Sequence, residues 1–210
     1  MHSKIGLVFA GRGGSGKTCM EEYILDNFPH TEFLTDDILP ITTEGVAYPN
    51  FNYPKIYGYN VRKRSDLEKK IMKNRNYSDT LQWRVKNLIR GSLVRRRMNP
   101  IYLYGGRISK EVQSVKIFIL SDDKSKNINI KEASNMLYEI IIEEYSRIIF
   151  KPLVISGMNI ESERLKRNLI NGIQKVLIKC GFEVILNKQD TLENVIKKNE
   201  TLKRMLIDRI

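Results

Sequence analysis

The stretch Gly11-Arg-Gly-Gly-Ser-Gly16-Lys17-Thr18 constrains this chain more than any other, because it satisfies every position of G-x-x-x-x-G-K-S/T. Its setting matters as much as its letters. A short apolar run rich in strand formers, Lys4 to Ala10, enters it, and a helical pattern from Lys17 to Asn27 leaves it. Glycines in such a loop let successive backbone N–H groups curl round a phosphate. The helix N-terminus that follows adds a partial positive charge that also favours an anion. The candidate nucleotide-binding residues are therefore Gly11, Gly13, Gly14, Ser15, Gly16, Lys17 and Thr18. Lys17 would reach the β- and γ-phosphates of a nucleoside triphosphate, and the Thr18 hydroxyl would ligate Mg²⁺. ATP and Mg²⁺ are thus the expected cofactors. A glycine-rich turn with a chance Lys-Thr is the competing explanation, and the strand–loop–helix context argues against it.

Further on, Thr31 to Thr35 reads as a second short strand ending at the pair Asp36-Asp37. Pro40, Pro49 and Pro54 then punctuate a loop carrying Tyr48, Phe51, Tyr53, Tyr57 and Tyr59. Residues of about 65–97 read as helical, split near Asn74–Ser78, and Ile101–Tyr104 with Val115–Leu120 read as extended, as in a hairpin. The last third alternates: a helix over about 130–148, a buried strand at Pro152–Ser156, a helix over about 161–180 stopped by Gly181, a strand at Phe182–Leu186, and a basic helix from about 191. Strands alternating with helices of this length imply an α/β fold, a P-loop NTPase-type parallel sheet flanked by helices. The expected division is a core of residues 1–39 and 128–210, interrupted by a basic, mainly helical insertion over 40–127.

The charge is segregated. Between Asn60 and Lys110 stand fifteen Lys or Arg against Asp66, Glu68 and Asp79, so this quarter of the chain holds the entire net charge of +12. More than half of those cations are arginine, the better phosphate ligand. Arg62, Arg64, Arg84, Arg95, Arg96 and Arg97 are the candidate contacts to a polyanion, with nucleic acid, DNA above RNA, as the expected partner. Solvated helical faces are the alternative. Two cysteines, Cys19 and Cys180, cannot make a disulfide framework, which points to a reducing cytoplasm, the host's if the chain is viral. His2 and His30 are too few for a His-rich metal site. The longest apolar window, Ile140–Ile155, is broken by Glu143, Glu144, Arg147 and Lys151, so no membrane span is expected.

The phosphate loop, then Asp36-Asp37 after a second strand, then Leu153-Val-Ile-Ser156, Asn159 and Glu163-Arg164-Leu165, and last Lys197-Lys198-Asn199 with Leu202-Lys203-Arg204, resemble in their order the kinase domain of phage polynucleotide kinase. Somewhat over half of the chain is covered, and the phosphate loop is the specific part. The resemblance implies that Asp36 orients and deprotonates the attacking hydroxyl, and that Arg204, with Lys198, is a lid cation neutralising the transferring phosphoryl group. A helix N-cap would explain the Asp pair otherwise, and complementing a helix C-terminus would explain Arg204. The sequence departs from the family in three places. Ile38-Leu39-Pro40 stands where an arginine follows the Asp pair, Gly157 stands where an acid ends the strand, and the insertion is additional. Asp122 or Asp123 could supply the missing acid, and a turn after a strand explains them equally well.

The expected activity is that of an ATP-dependent kinase, a P-loop phosphotransferase acting on a nucleic-acid hydroxyl. The acceptor would be a 5′-hydroxyl end or a hydroxymethylated base in DNA. A nucleoside monophosphate kinase is the first alternative and a non-kinase NTP-binding switch or motor subunit the second. The basic insertion favours the nucleic acid, since a mononucleotide does not require it.

Overall fold

The computed structural model describes residues 4–50, 53–61, 65–73, 75–90, 95–121, 128–145, 159–186 and 192–207. In chain order the elements are β1 (Ile5–Ala10), α1 (Lys17–Asn27), β2 (Lys55–Tyr57), α2 (Gly58–Val61), α3 (Ser65–Met72), α4 (Tyr77–Arg90) and β3 (Arg95–Arg97). There follow α5 (Pro100–Tyr104), β4 (Ser114–Ser121), α6 (Ile130–Tyr145), α7 (Asn159–Cys180), β5 (Phe182–Leu186), α8 (Leu192–Lys198) and α9 (Glu200–Ile207). Contacts divide the chain into two compact units. Unit 1 comprises Met1–Pro29, Ile41–Ala47 and Val112–Ile210, and unit 2 comprises His30–Pro40 and Tyr48–Glu111. The strand expected over Pro152–Ser156 with Gly157, the acids Asp122 and Asp123, and Arg62 and Arg64 lie outside the described residues.

Unit 1 is α/β. Among the described residues, three strands form a parallel sheet in the order β1-β4-β5, with Ile5 opposite Ser114 and Ile117 opposite Phe182. The central strand β4 buries Val115, Ile117, Phe118, Ile119 and Leu120. Successive side chains leave a strand on opposite faces, so the unbroken buried run 117–120 is what a parallel strand covered on both sides requires. Over one face, Met20 and Ile24 of α1, Val195 and Ile196 of α8, and Leu202 and Leu206 of α9 close on Phe118, Leu120 and Ile185. Helix α7 packs on β4, and α6 packs on α7. The expected C-terminal basic helix is two helices. Asn199 ends α8, and its side chain caps α9 by accepting from the Leu202 N–H at 2.7 Å.

Gly181 joins α7 to β5 with φ 68°, its N–H donating to the Leu177 carbonyl at 2.9 Å. A Cβ there would stand 3.2 Å from Lys116 Nζ. Gly181→Ala is expected to lower stability by about 1 kcal/mol, the cost of a left-handed residue with a side chain. A shift of the denaturation midpoint with unchanged m-value checks it.

Unit 2 has its own core of Ile56, Val61, Leu67, Ile71, Trp83, Met98 and Leu103. Three sequence expectations are corrected here. Arg95–Arg97 do not end a helix but form β3, antiparallel to β2, with Arg96 opposite Ile56. Ile101–Tyr104 are not extended. Asn99 accepts from the Ile101 N–H at 2.9 Å, Pro100 sits in the first turn, and Gly105 ends α5, so start and stop signals outweigh the aromatic strand-like letters. No hairpin joins them to β4, which is a parallel strand. Thr31–Thr35 make a single bridge, Phe33 to Ile108, in place of a strand. Phe33 stacks on Tyr104 at 4.5 Å instead.

Candidate functional site

The loop between β1 and α1 is shaped by its glycines. Gly14 and Gly16 have φ of 79° and 86°, left-handed values that cost an L-residue roughly 1–2 kcal/mol. Gly11 is buried against β4: a Cβ would come within 3.2 Å of the Leu120 carbonyl and Cβ, and within 2.5 Å of Ser15 Oγ. Nothing lies within 4 Å of where a Gly13 Cβ would stand, so the loop is packed at its entry and open at its apex. The Ser15 N–H donates to the Arg12 carbonyl at 3.1 Å and closes the turn. Helix α1 then begins at Gly16 without a side-chain cap and without an acid in its first turn. The positive end of its dipole therefore faces the loop with no side-chain cap to offset it. Lys17 folds back so that Nζ donates to the carbonyls of Gly11 at 2.6 Å and Arg12 at 2.8 Å, fixing a cation against the loop backbone. Thr18, half-buried, follows in the first turn.

These groups fit a polyphosphate: oriented amides, a helix N-terminus, an ammonium and a hydroxyl. Among the described residues no group of three or more His, Cys, Asp or Glu is arranged to hold a metal. Among the described residues, the Thr18 hydroxyl would offer a ligand to a magnesium ion brought by the phosphates.

Asp36 and Asp37 lie on a bend in unit 2 and begin no helix, so they are not an N-cap pair. Asp36 Oδ1 accepts from the Asp37 N–H at 2.8 Å and Oδ2 from the Lys55 N–H at 3.1 Å. Burial holds the Asp36 carboxyl above the ordinary aspartate value, against the lowering effect of those amide bonds, and the Asp37 charge adds to the rise. Asp37, left-handed at φ 65°, pairs with Lys55 Nζ. One acid of the pair is thus shielded and more basic, and the other is neutralised by a cation. Asn50 ties the same turn together, its Nδ2 donating to the Asp36 carbonyl at 3.1 Å and to the Ile38 carbonyl. Neither Lys55 nor Asn50 carried a sequence signal, since each reaches Asp36 across an irregular loop.

The candidate polyanion contacts separate by environment. Arg96 turns inward: its guanidinium lies 5.0 Å from the Trp83 ring and donates to the Asp79 carbonyl at 3.0 Å. Desolvation, with Arg75 nearby, lowers its pKa. Arg84 pairs with Glu68 at 3.2 Å beside a groove of 380 Å³ lined by Glu68, Arg84, Asn87 and Leu88. Arg97 is exposed, its Nη1 donating to the backbone carbonyl of Tyr53, itself an exposed residue, at 3.3 Å. The side chain of Arg95 lies outside the described residues. Arg96→Ala is expected to destabilise unit 2 by about 1–2 kcal/mol through the lost cation–π contact and hydrogen bond. Arg97→Ala should leave stability unchanged and lower the salt slope of polyanion binding by about 0.7–0.9. Melting curves and salt titrations of the two variants check this division.

Arg204 is exposed in the last turn of α9, and Lys198 ends α8. Helix α8 packs beside α1, so the basic C-terminal pair of helices and the phosphate loop belong to one unit. Compared with protein-family models, with curated proteins and with solved structures, the chain finds no match.

Proposed function

We propose that this chain is an ATP-dependent kinase with a P-loop NTPase-type core that transfers the γ-phosphate to a hydroxyl on a nucleic acid. The observation that carries the proposal is the β1–loop–α1 geometry: left-handed Gly14 and Gly16, an uncapped helix N-terminus, and Lys17 curled onto the loop. Unit 1 would bind the donor nucleotide, with Lys17 balancing charge on the β- and γ-phosphates and Arg204 neutralising the transferring group. Thr18 would help to hold Mg²⁺, which when bound would supply neutralising charge to the phosphates. Unit 2 would supply the acceptor chemistry. Asp36 keeps lone pairs beyond its two amide bonds, and its raised pKa makes it the better base of the pair for the hydroxyl proton.

The cations of unit 2 support a polyanionic acceptor, with Tyr48 and Tyr53 exposed as stacking surfaces. A nucleoside monophosphate acceptor is the second reading. Arg96, spent on Trp83 and Asp79, favours it, because it leaves one cation fewer for a backbone. Incubation with γ-labelled ATP and parallel acceptors separates the readings: mononucleotides, 5′-hydroxyl oligonucleotides and base-modified duplex. Label on an oligonucleotide supports the proposal, label on a mononucleotide supports the second reading, and label on neither, with ATP bound, supports a switch.

A further inference from the structure

Arg12 stands inside the phosphate loop, yet its side chain points elsewhere. Its backbone carbonyl accepts from Ser15 N–H and Lys17 Nζ, which anchors it between Gly11 and Gly13. Its guanidinium reaches α6, donating to Glu139 Oε2 at 3.1 Å and lying 3.6 Å from Glu143 Oε2. The two acids are one helical turn apart and so present a pair of carboxylates on one face. All three side chains are largely exposed, at 66%, 62% and 59%. Ion pairs that exposed are weak and exchange readily with competing charges.

A planar guanidinium binds phosphate as readily as carboxylate, in the same bidentate manner. A nucleotide at the loop would bring several negative charges within one side-chain length of the Arg12 backbone, and close to Glu139 and Glu143. We infer that Arg12 is a polyphosphate ligand held in reserve by α6, its guanidinium leaving Glu139 and Glu143 for the phosphates when a nucleotide binds. The inference rests on the proposed nucleotide site. It adds a third cationic group to Lys17 and the helix N-terminus, and it makes the two α6 carboxylates positioning residues that weaken nucleotide binding.

The ion pairs can be broken from either side, and the two breaks have opposite consequences. Arg12→Ala removes the ligand; the double variant Glu139→Gln, Glu143→Gln removes its competitors. Dissociation constants for ATP, ADP and inorganic tripolyphosphate should be measured by titration calorimetry at low and high salt, with melting temperatures alongside. Arg12→Ala should weaken binding about tenfold, more for the triphosphates than for ADP, and Arg12→Lys should recover part of the loss. The double Gln variant should tighten binding about threefold to tenfold, an effect that shrinks as salt screens the carboxylates. Both variants lose the same ion pairs, so a structural clamp would move melting and affinity in one direction for both. Affinity changes of the same sign, or an Arg12→Ala variant that binds as well as the native chain, would overturn the inference. Native protein that binds none of the three probes would instead sink the nucleotide site itself.

Discussion

Lys17→Ala is expected to reduce phosphoryl transfer by about a thousandfold or more, with the fold intact. Removing a single preorganised donor from a developing anion costs about 10²–10³ in rate, and cations on a transferring phosphoryl group reach 10³–10⁵. Lys17 supplies both roles at the loop. Its loss also removes two hydrogen bonds, to the carbonyls of Gly11 and Arg12, of about 1 kcal/mol each, at a half-buried position. That cost is within reach of a stable domain and is read as a melting shift. Single-turnover transfer from labelled ATP, beside far-UV spectra of both proteins, checks the expectation. Native-like transfer by a folded Lys17→Ala protein would remove the phosphate loop from the reaction.

Asp36→Asn should be nearly as damaging to transfer, by about 10²–10⁴-fold, while ATP affinity stays within a few-fold. The amide cannot accept the hydroxyl proton. Asn also has one acceptor oxygen where Asp36 uses two, so either the Asp37 or the Lys55 N–H loses its partner, at about 1–3 kcal/mol. A melting curve separates this local cost from the catalytic one. The native enzyme should show the carboxyl in its pH profile. Burial raises the Asp36 pKa above 3.8, so the acid limb of the transfer rate should lie above that of an ordinary aspartate. The sign for stability follows from the same shift. The folded state disfavours the charged form, so the contribution of Asp36 to stability is full below the unfolded value and is lost as pH rises through the folded one. Asp37→Asn, by contrast, loses an ion pair with Lys55 and should retain most activity. The reverse pattern, an active Asp36→Asn and an inactive Asp37→Asn, would reassign the base.

The parts of the fold legible in the sequence are those where local chemistry and burial agree. β4 is an apolar run because both of its faces are covered, and the α7–Gly181–β5 passage carries its own stop signal. Legibility fails where distant pairing decides. Arg95–Arg97 follow a helix without a proline to end it, and only the pairing with Lys55–Tyr57 makes them a strand. Helix α4 shows why periodicity alone misleads. Leu81, Val85, Leu88 and Ile89 recur at helical spacing, yet they are exposed, and the opposite face buries Trp83. The phosphate loop was readable because its shape is set by residues within the motif. The surroundings of Asp36 were not, since Lys55 and Asn50 reach it from well along the chain. Nor were the α6 partners of Arg12, more than a hundred residues away.

The register of Ile5 with Ser114 has a consequence for how the protein is made. At about 5–20 residues per second, β1 is synthesised some 5–20 seconds before its sheet partner. Every residue of the unit 2 core, from Ile56 to Leu103, is synthesised in that interval. Its contacts are closer in sequence and close first, since contacts of long sequence separation are the slow ones to form. A nascent chain therefore holds its glycine loop unsupported until Leu120, against which Gly11 packs, has been added. Ribosome-stalled chains ending before and after β4 should differ in protease resistance at residues 5–20, with protection arriving only in the longer one.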